Sequence, residues 1–275
     1  MSRADKIYID NINNILVNGC WDTDMDVRPR WADGSVAHSV KLFGIVNRYD
    51  LSEEFPILTI RRAPFKLPID EMLWIWSKKS NDIKQLGSSV WNQWKDDNDT
   101  IGKAYGYQLG IKHDYPEGAF DQVDRLLYEL KNNPYSRRMI ANMFVHSDLN
   151  QMNLYPCAYS LTLNVSNGTL NGILNQRSQD MAVANNWNVV QYSVLMYMFA
   201  AVNGYRVGQL IHVIADAHIY DRHLEQIKRL ITQPQFNAPT LLMDKLDNFY
   251  DYSTDNFRLN GYINSGFSPK FEVAI

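Results

Sequence analysis

Cysteine is scarce in this chain: Cys20 and Cys157 are the only two among 275 residues. Two thiols exclude a disulfide scaffold, and neither sits in a CxxC or Cys/His spacing that would hold zinc, so no metal is expected. Long apolar runs are missing as well. The longest, Val189 to Val202, covers about a dozen residues where a membrane span needs roughly 20. Nor does charge of one sign dominate. With 27 Lys and Arg against 30 Asp and Glu, the net charge of −3 gives no basic footprint for non-specific nucleic-acid binding. The N-terminal stretch lacks the apolar segment and small-residue cleavage site of a signal peptide, so a cytoplasmic location is expected. Repeats, low-complexity segments and linker-like stretches are all absent, which points to one domain over 1–275.

What remains is an ordinary globular composition, 45% hydrophobic and 21% charged. Seven Trp and sixteen Tyr supply flat amphipathic rings suited to a ligand pocket. The opening "MSRADKIYIDNINNILVNG" reads as an amphipathic helix with Ile7, Ile9, Ile12 and Ile15 or Leu16 on one face. "VKLFGIVNRYDL" and "FPILTIRRAPF" read as two strands, and "IDEMLWIWSKKS" as a helix carrying Glu71 amid apolar neighbours. "FDQVDRLLYELKNNP" is a helix stopped by its proline. Strands follow at "RRMIANMFVH" and "AYSLTLNVSNGTLNGILNQRS", the second pattern folding back at "SNG". A buried helix over 189–203, a strand "LIHVIADAHIY" and a helix from Asp221 complete the pattern. Strands in the middle with helices on both sides predict an α+β fold: a mixed or antiparallel sheet with flanking helices.

Several residues have the chemistry for a site, though each alone has an ordinary structural reading. Cys157 in "LYPCAYS" is a nucleophile only in a positive environment, and otherwise core filler. Arg177 and the pair Arg137–Arg138 are candidates for that environment, or for plain surface ion pairs. In a strand, the two adjacent arginines would point to opposite faces. Glu71, if turned inward, has its pKa raised into a range useful for proton transfer; turned outward, it is a solvated helix residue. His218 and Tyr220 share one side of a strand, either gripping a hydroxyl or forming a satisfied core pair.

The collection decides what no member can. "PC" at 156–157, "QRSQD" at 176–180, Asn188 and "DAHIY" at 216–220 resemble blocks of the thymidylate synthases, folate-dependent enzymes that methylate deoxyuridylate. The intervals match as well: twenty residues from Cys157 to Arg177, eleven more to Asn188, thirty more to His218. "DEMLWIW", "VWNQW", "AYGYQ" and "NNPYSRRMI" are similar to further family blocks in the right order, so the resemblance covers nearly the whole chain.

The resemblance implies a role for each matched residue. Cys157 would add to C6 of uracil, making C5 nucleophilic enough to take a one-carbon unit from 5,10-methylenetetrahydrofolate. Arg177 would hold the phosphate and lower the thiol pKa. Arg28, Arg137, Arg138 and Ser178 would complete the phosphate cage, with Arg137 and Arg138 reaching across from the second subunit of a homodimer. Asn188, beside Gln176, would read the uracil edge, and His218 and Tyr220 the ribose. Glu71 would manage proton traffic at O4, and Tyr105 would assist removal of the C5 proton. On the folate side the resemblance implies Asp180 for the pterin ring. Trp91, Trp94, Val183, Ala184 and Trp187 would form the walls. Arg61 and Arg62 would meet the glutamate tail and the C-terminal carboxylate, and Ala274 with Ile275 the closing tail.

Departures from the family pattern gather in one place. Ala184, Asn185, Asn186 and Trp187 stand where most members carry a glycine–variable–proline–phenylalanine run, and Ala158 replaces the usual histidine after the cysteine. The nucleotide machinery is complete while the folate-facing loop is altered. This motivates a second enzymatic reading, a deoxyuridylate hydroxymethylase in which Asn185 and Asn186 order the capturing water. A non-enzymatic nucleotide- or RNA-binding protein is the reading from another class. Neutral charge and a full set of reactive groups argue against it.

Overall fold

The computed structural model describes residues 1–275. Helix α1 (Arg3–Asn18) packs on the sheet through Ala4, Tyr8, Ile12 and Ile15, one stripe at helical spacing. Ile7 and Ile9, expected on that face, only flank it. Asp5 also lies on the buried stripe. Its carboxylate accepts from the Thr59 and Ile60 amides, at 2.8 and 3.4 Å, and from the Thr59 hydroxyl. That interaction corrects the expected strand "FPILTIRRAPF". Residues 55–65 are irregular, because Pro56 and Pro64 donate nothing and Asp5 satisfies amides that a ladder would otherwise use.

Short β1 (Cys20–Trp21) leads to β2 (Ser39–Asp50). Helix α2 (Lys66–Trp76) buries Ile69 and every residue from Glu71 to Trp76, a helix apolar all round and therefore central. Helix α3 (Gly106–Gly110) and the hairpin β3 (His113–Tyr115) and β4 (Gly118–Phe120) precede α4 (Gln122–Asn132). Asp121 caps α4 through the Val123 and Asp124 amides. Strand β5 is only Ile140–Asn142, so Arg137 and Arg138 precede it on an exposed turn and the opposite-face expectation fails.

β6 (Ala158–Ser166) and β7 (Thr169–Asp180) form the expected hairpin, turning at Asn167–Gly168 with φ of 49° and 70°. Helix α5 spans Asn185–Val202, four residues earlier than expected, and crosses over to β8 (Arg206–Tyr220). Helix α6 (Leu224–Leu230) follows, then β9 (Thr240–Met243) and β10 (Phe257–Asn260), a separate antiparallel pair.

The main sheet runs β1-β2-β8-β7-β6-β5. Only β7 and β8 are parallel, as a strand–helix–strand crossover requires. The fold is thus α+β with a mixed sheet. α1 and α5 cover one face and α2 packs on α5, so a single buried core runs through the chain. The register sets Ser178 opposite Asp216 and Asp180 opposite His218, which brings four polar positions to one end of the parallel pair. The other face of the sheet carries Val46 and Ile173 exposed, in rows with Val213 and Ile211.

Candidate active site

A cavity of about 480 Å³ opens at that end of β6, β7 and β8. Cys157, just before β6, is half-buried in its wall. Its backbone N–H donates to the Tyr105 hydroxyl at 2.9 Å. Tyr105 reaches this position from a strained backbone, φ 48° and ψ −108°. The next residue has to be glycine, because a Cβ on Gly106 would stand 2.3 Å from the Ser80 carbonyl oxygen. Arg177 Nη2 lies 3.7 Å from the Cys157 sulfur, and its guanidinium also donates to the Pro156 and Tyr155 carbonyls. Burial pushes the Cys157 thiol up from its ordinary 9.0. Arg177, the Tyr105 hydroxyl and Arg28 offset this only in part. The lowering expected from Arg177 is present but outweighed, because desolvation penalises the thiolate more than the neighbouring charge helps it.

Opposite the thiol runs a row of side-chain amides. Gln176 Nε2 donates to Asn188 Oδ1 at 3.1 Å, Asn188 Nδ2 to Gln191 Oε1 at 3.0 Å, and Gln191 Nε2 to Glu71 Oε1 at 2.8 Å. Glu71 does face inward. Burial raises its pKa from 4.5 to about 7, the Gln191 hydrogen bond pulling the other way. His218, whose Nδ1 lies 2.8 Å from Asp216, stands edge-on to Tyr220 at 5.0 Å between ring centres, both on the cavity wall. Arg28 and Ser178 line the same end.

The wider part of the cavity is aromatic. Trp91 sits edge-on to Trp94 and Tyr105, with Trp187 and Val183 also in the wall. The Trp91 indole N–H is buried and faces the Glu71 carboxyl, beyond good hydrogen-bond geometry. Asp180 Oδ1 accepts from the Ala182 and Val183 amides at 2.8 and 3.1 Å, while Oδ2 takes no hydrogen bond. A free carboxylate oxygen beside edge-packed rings suits a flat, polar-edged ligand. No group of three His, Cys, Asp or Glu is placed to hold a metal ion.

The altered segment 184–187 is not a loop. Asn185 to Trp187 form the first turn of α5, and Ala184 has ordinary right-handed backbone (φ −102°, ψ −17°) that needs no glycine. Asn186 accepts from the Leu58 amide at 3.1 Å and donates to the Pro56 carbonyl at 3.2 Å. Asn185 is buried and its amide turns to the Met181 sulfur. Both carboxamides are therefore engaged by the fold, which removes the water-ordering role that motivated the hydroxymethylase reading.

Residues 269–275 lie over the mouth, with Ala274 and Ile275 in the cavity wall. Arg30 and Ile275 exchange backbone hydrogen bonds at 2.8 and 2.9 Å. Arg61 lies under Phe271, 5.5 Å from its ring centre, and donates to the Ala182 carbonyl. Neither Arg61 nor Arg62 forms the expected ion pair with the C-terminal carboxylate. Arg62 is exposed and outside the cavity, its backbone N–H bonded to Phe267. Arg137 and Arg138 are also outside, lining a shallow cleft beside Glu117 and Glu129. Apart from Asn185, which is buried behind the wall, the other residues expected in the site line this cavity. Tyr8, Gln191 and Phe271 line it too, without having been expected; Tyr8 was legible only as a helix-face residue.

The family model described as thymidylate synthase matches residues 6–275. The chain is 43% identical over 281 aligned positions to the thymidylate synthase of Bacillus subtilis subsp. natto, covering all of both chains. It is equally similar to that of Bacillus phage phi3T. Among solved structures it resembles the thermostable thymidylate synthase A from Bacillus subtilis, with TM-score 0.94 and 42% identity over 98% of this chain and 99% of that one.

Proposed function

The chain belongs to the thymidylate synthase family and is an enzyme that methylates deoxyuridylate to thymidylate; we propose that its one-carbon donor is 5,10-methylenetetrahydrofolate and that the residues of the cavity divide the work. The folate supplies a methylene group and then a hydride. Cys157 adds to C6 of the uracil ring, splitting a difficult aromatic substitution into easier steps. Its thiol, protonated at rest, ionises as the nucleotide binds, with Arg177 and the Tyr105 hydroxyl beside the forming thiolate. Arg177, Arg28 and Ser178 hold the phosphate. Asn188, next to Gln176, donates to O4 and accepts from N3–H, the pattern that cytosine reverses. His218 and Tyr220 take the ribose hydroxyl. Glu71, with a pKa of about 7, exchanges a proton with O4 near neutral pH, and Tyr105 assists loss of the C5 proton.

Asp180 Oδ2 is the free polar group for the pterin, with Trp91, Trp94, Val183, Ala184 and Trp187 around it. Arg61 borders the exit towards a glutamate tail, Arg62 lies exposed beyond the cavity, and the 269–275 segment excludes water. Arg137 and Arg138, exposed and outside their own cavity, serve the site of a second copy. The apolar rows of the uncovered sheet face support reading that copy as a homodimer partner. One buried core supports treating 1–275 as a single domain. No helix is long and apolar enough to cross a membrane, and two free thiols suit the cytoplasm.

The observation that carries this reading is the Cys157 thiol held between Arg177 and a row of amides ending on a buried carboxyl of near-neutral pKa. Incubation with deoxyuridylate and methylenetetrahydrofolate, followed by mass analysis, tests it. Thymidylate with dihydrofolate is expected; a dominant hydroxymethyl product with regenerated tetrahydrofolate would refute it.

A further inference from the structure

Behind the row of amides lies a residue that the reaction does not use. His212, on β8, is fully buried and does not line the cavity. Its Nε2 is 2.8 Å from Gln176 Oε1, and its Nδ1 has no partner. We propose that His212 is a positioning residue for base recognition, holding the amide of Asn188, through Gln176, in the one orientation that reads uracil. This rests on the functional reading above.

The direction of every hydrogen bond in the row follows from groups that cannot reverse. Gln176 Nε2 also faces the Ser178 carbonyl at 3.0 Å, and a carbonyl only accepts. The nitrogen of Gln176 therefore points to Ser178 and Asn188, and its oxygen points to His212. The facing ring nitrogen, Nε2, must then carry the proton. A neutral imidazole has one N–H, so Nδ1 is bare, which agrees with its lack of a partner. Burial pushes the His212 pKa down to about 3, keeping the ring neutral at working pH. From Gln176 the polarity passes on. Asn188 receives at Oδ1 and gives from Nδ2, and Gln191 gives to Glu71. Asn188 keeps one N–H free for O4. The second contact on its oxygen, from Gln179 at 3.4 Å, is the weaker one, which uracil N3–H replaces.

Without the His212 donor, Gln176 Oε1 is a buried acceptor with no partner. The Ser178 carbonyl is then the one fixed group still holding that amide, so the turned-over state, which presents oxygen to Asn188 and invites that amide to turn as well, rises in population. A turned Asn188 offers its acceptor and donor in the order that suits cytosine. His212→Phe keeps the bulk of a ring and removes the donor. His212→Gln restores a nitrogen donor at about the reach of Nε2.

The test is the ratio of dissociation constants for deoxyuridylate and deoxycytidylate, measured by calorimetry without folate. His212→Phe should narrow the ratio about tenfold, one hydrogen bond's worth, and His212→Gln should restore most of it. An unchanged ratio in His212→Phe, or a Gln variant as impaired as the Phe variant, would overturn the proposal. Should the Phe variant not fold, ¹⁵N spectra of the wild-type imidazole decide. A non-titrating Nε2–H tautomer supports the positioning role, and an Nδ1–H tautomer refutes it. Wild-type protein that binds neither nucleotide would instead remove the functional reading itself.

Discussion

Glu71 combines burial with side-chain donors, Gln191 first and then Trp91 and Trp187, and burial dominates, raising its pKa to about 7. A folded-state pKa above the unfolded value means that the native protein keeps a proton the unfolded chain has already lost. The stability tied to this site is complete below pH 4.5 and is lost as pH rises through about 7. At about 1.4 kcal/mol per pH unit, the loss is roughly 3 kcal/mol. Glu71→Gln should therefore show a smaller fall in Tm between pH 5 and 8 than the wild type. Parallel falls in calorimetric scans would locate the pH sensitivity elsewhere. Cys157→Ala should abolish turnover yet bind deoxyuridylate within about tenfold of wild type, since Arg28, Arg177 and Ser178 remain. Substantial methylation by that variant would exclude Cys157 as nucleophile. These two residues were legible from their blocks, "DEMLWIW" and "PC". His212 was not: in "LIHVIADAHIY" it is merely an inward strand position, and only the packing of β8 against β7 shows that Gln176 waits beside it.

Among the elements, the start of α5 departs most from expectation. "ANNWN" has the polarity of a loop, and Asn is a poor helix former, so a boundary at Val189 was the local reading. Tertiary bonds override it. Asn186 clasps Leu58 and Pro56 from the first turn, tying the helix to the irregular 55–65 segment that Asp5 supports from the other side. A sequence does not reveal a tether between positions so far apart. Asn186→Ala should lower stability by about 1–2 kcal/mol, through a buried amide and carbonyl left short of partners. The folate KM should rise because Trp187, the next residue, loses its fixed place, while thymidylate remains the product. An unchanged folate KM in steady-state assays would mean the tether does not position the wall. The hairpin β6–β7, by contrast, was readable because Asn167–Gly168 is a turn by local chemistry alone.

At the scale of the whole molecule, the site lacks Arg137 and Arg138, and one face of the sheet lacks a cover. Mixing Cys157→Ala chains with Arg138→Ala chains under exchange conditions should regenerate activity that neither has alone, because one site of each hybrid dimer is then intact. Failure to complement, with hybrids confirmed by mass, would confine the active site to one chain. The fold class was legible because strand and helix periods were clear. The second copy was implied only by resemblance, since a strand buried on one side reads alike whether the other side meets solvent or a partner. The placement of the nucleotide-reading groups has a further consequence. Cys157, Gln176, Arg177, Ser178, Asn188, His212, His218 and Tyr220 all fall on one unbroken run, from the residue before β6 through β7 and α5 to the end of β8. On the proposed assignment, base and sugar recognition is inherited as a cassette: recombination with a relative outside 157–220 exchanges Arg61, Trp91, Trp94 and the closing tail while passing on the nucleotide reader, with Asp180, Val183, Ala184 and Trp187, in one piece, and a crossover between Asn188 and His212 would separate Asn188 from the histidine that orients it.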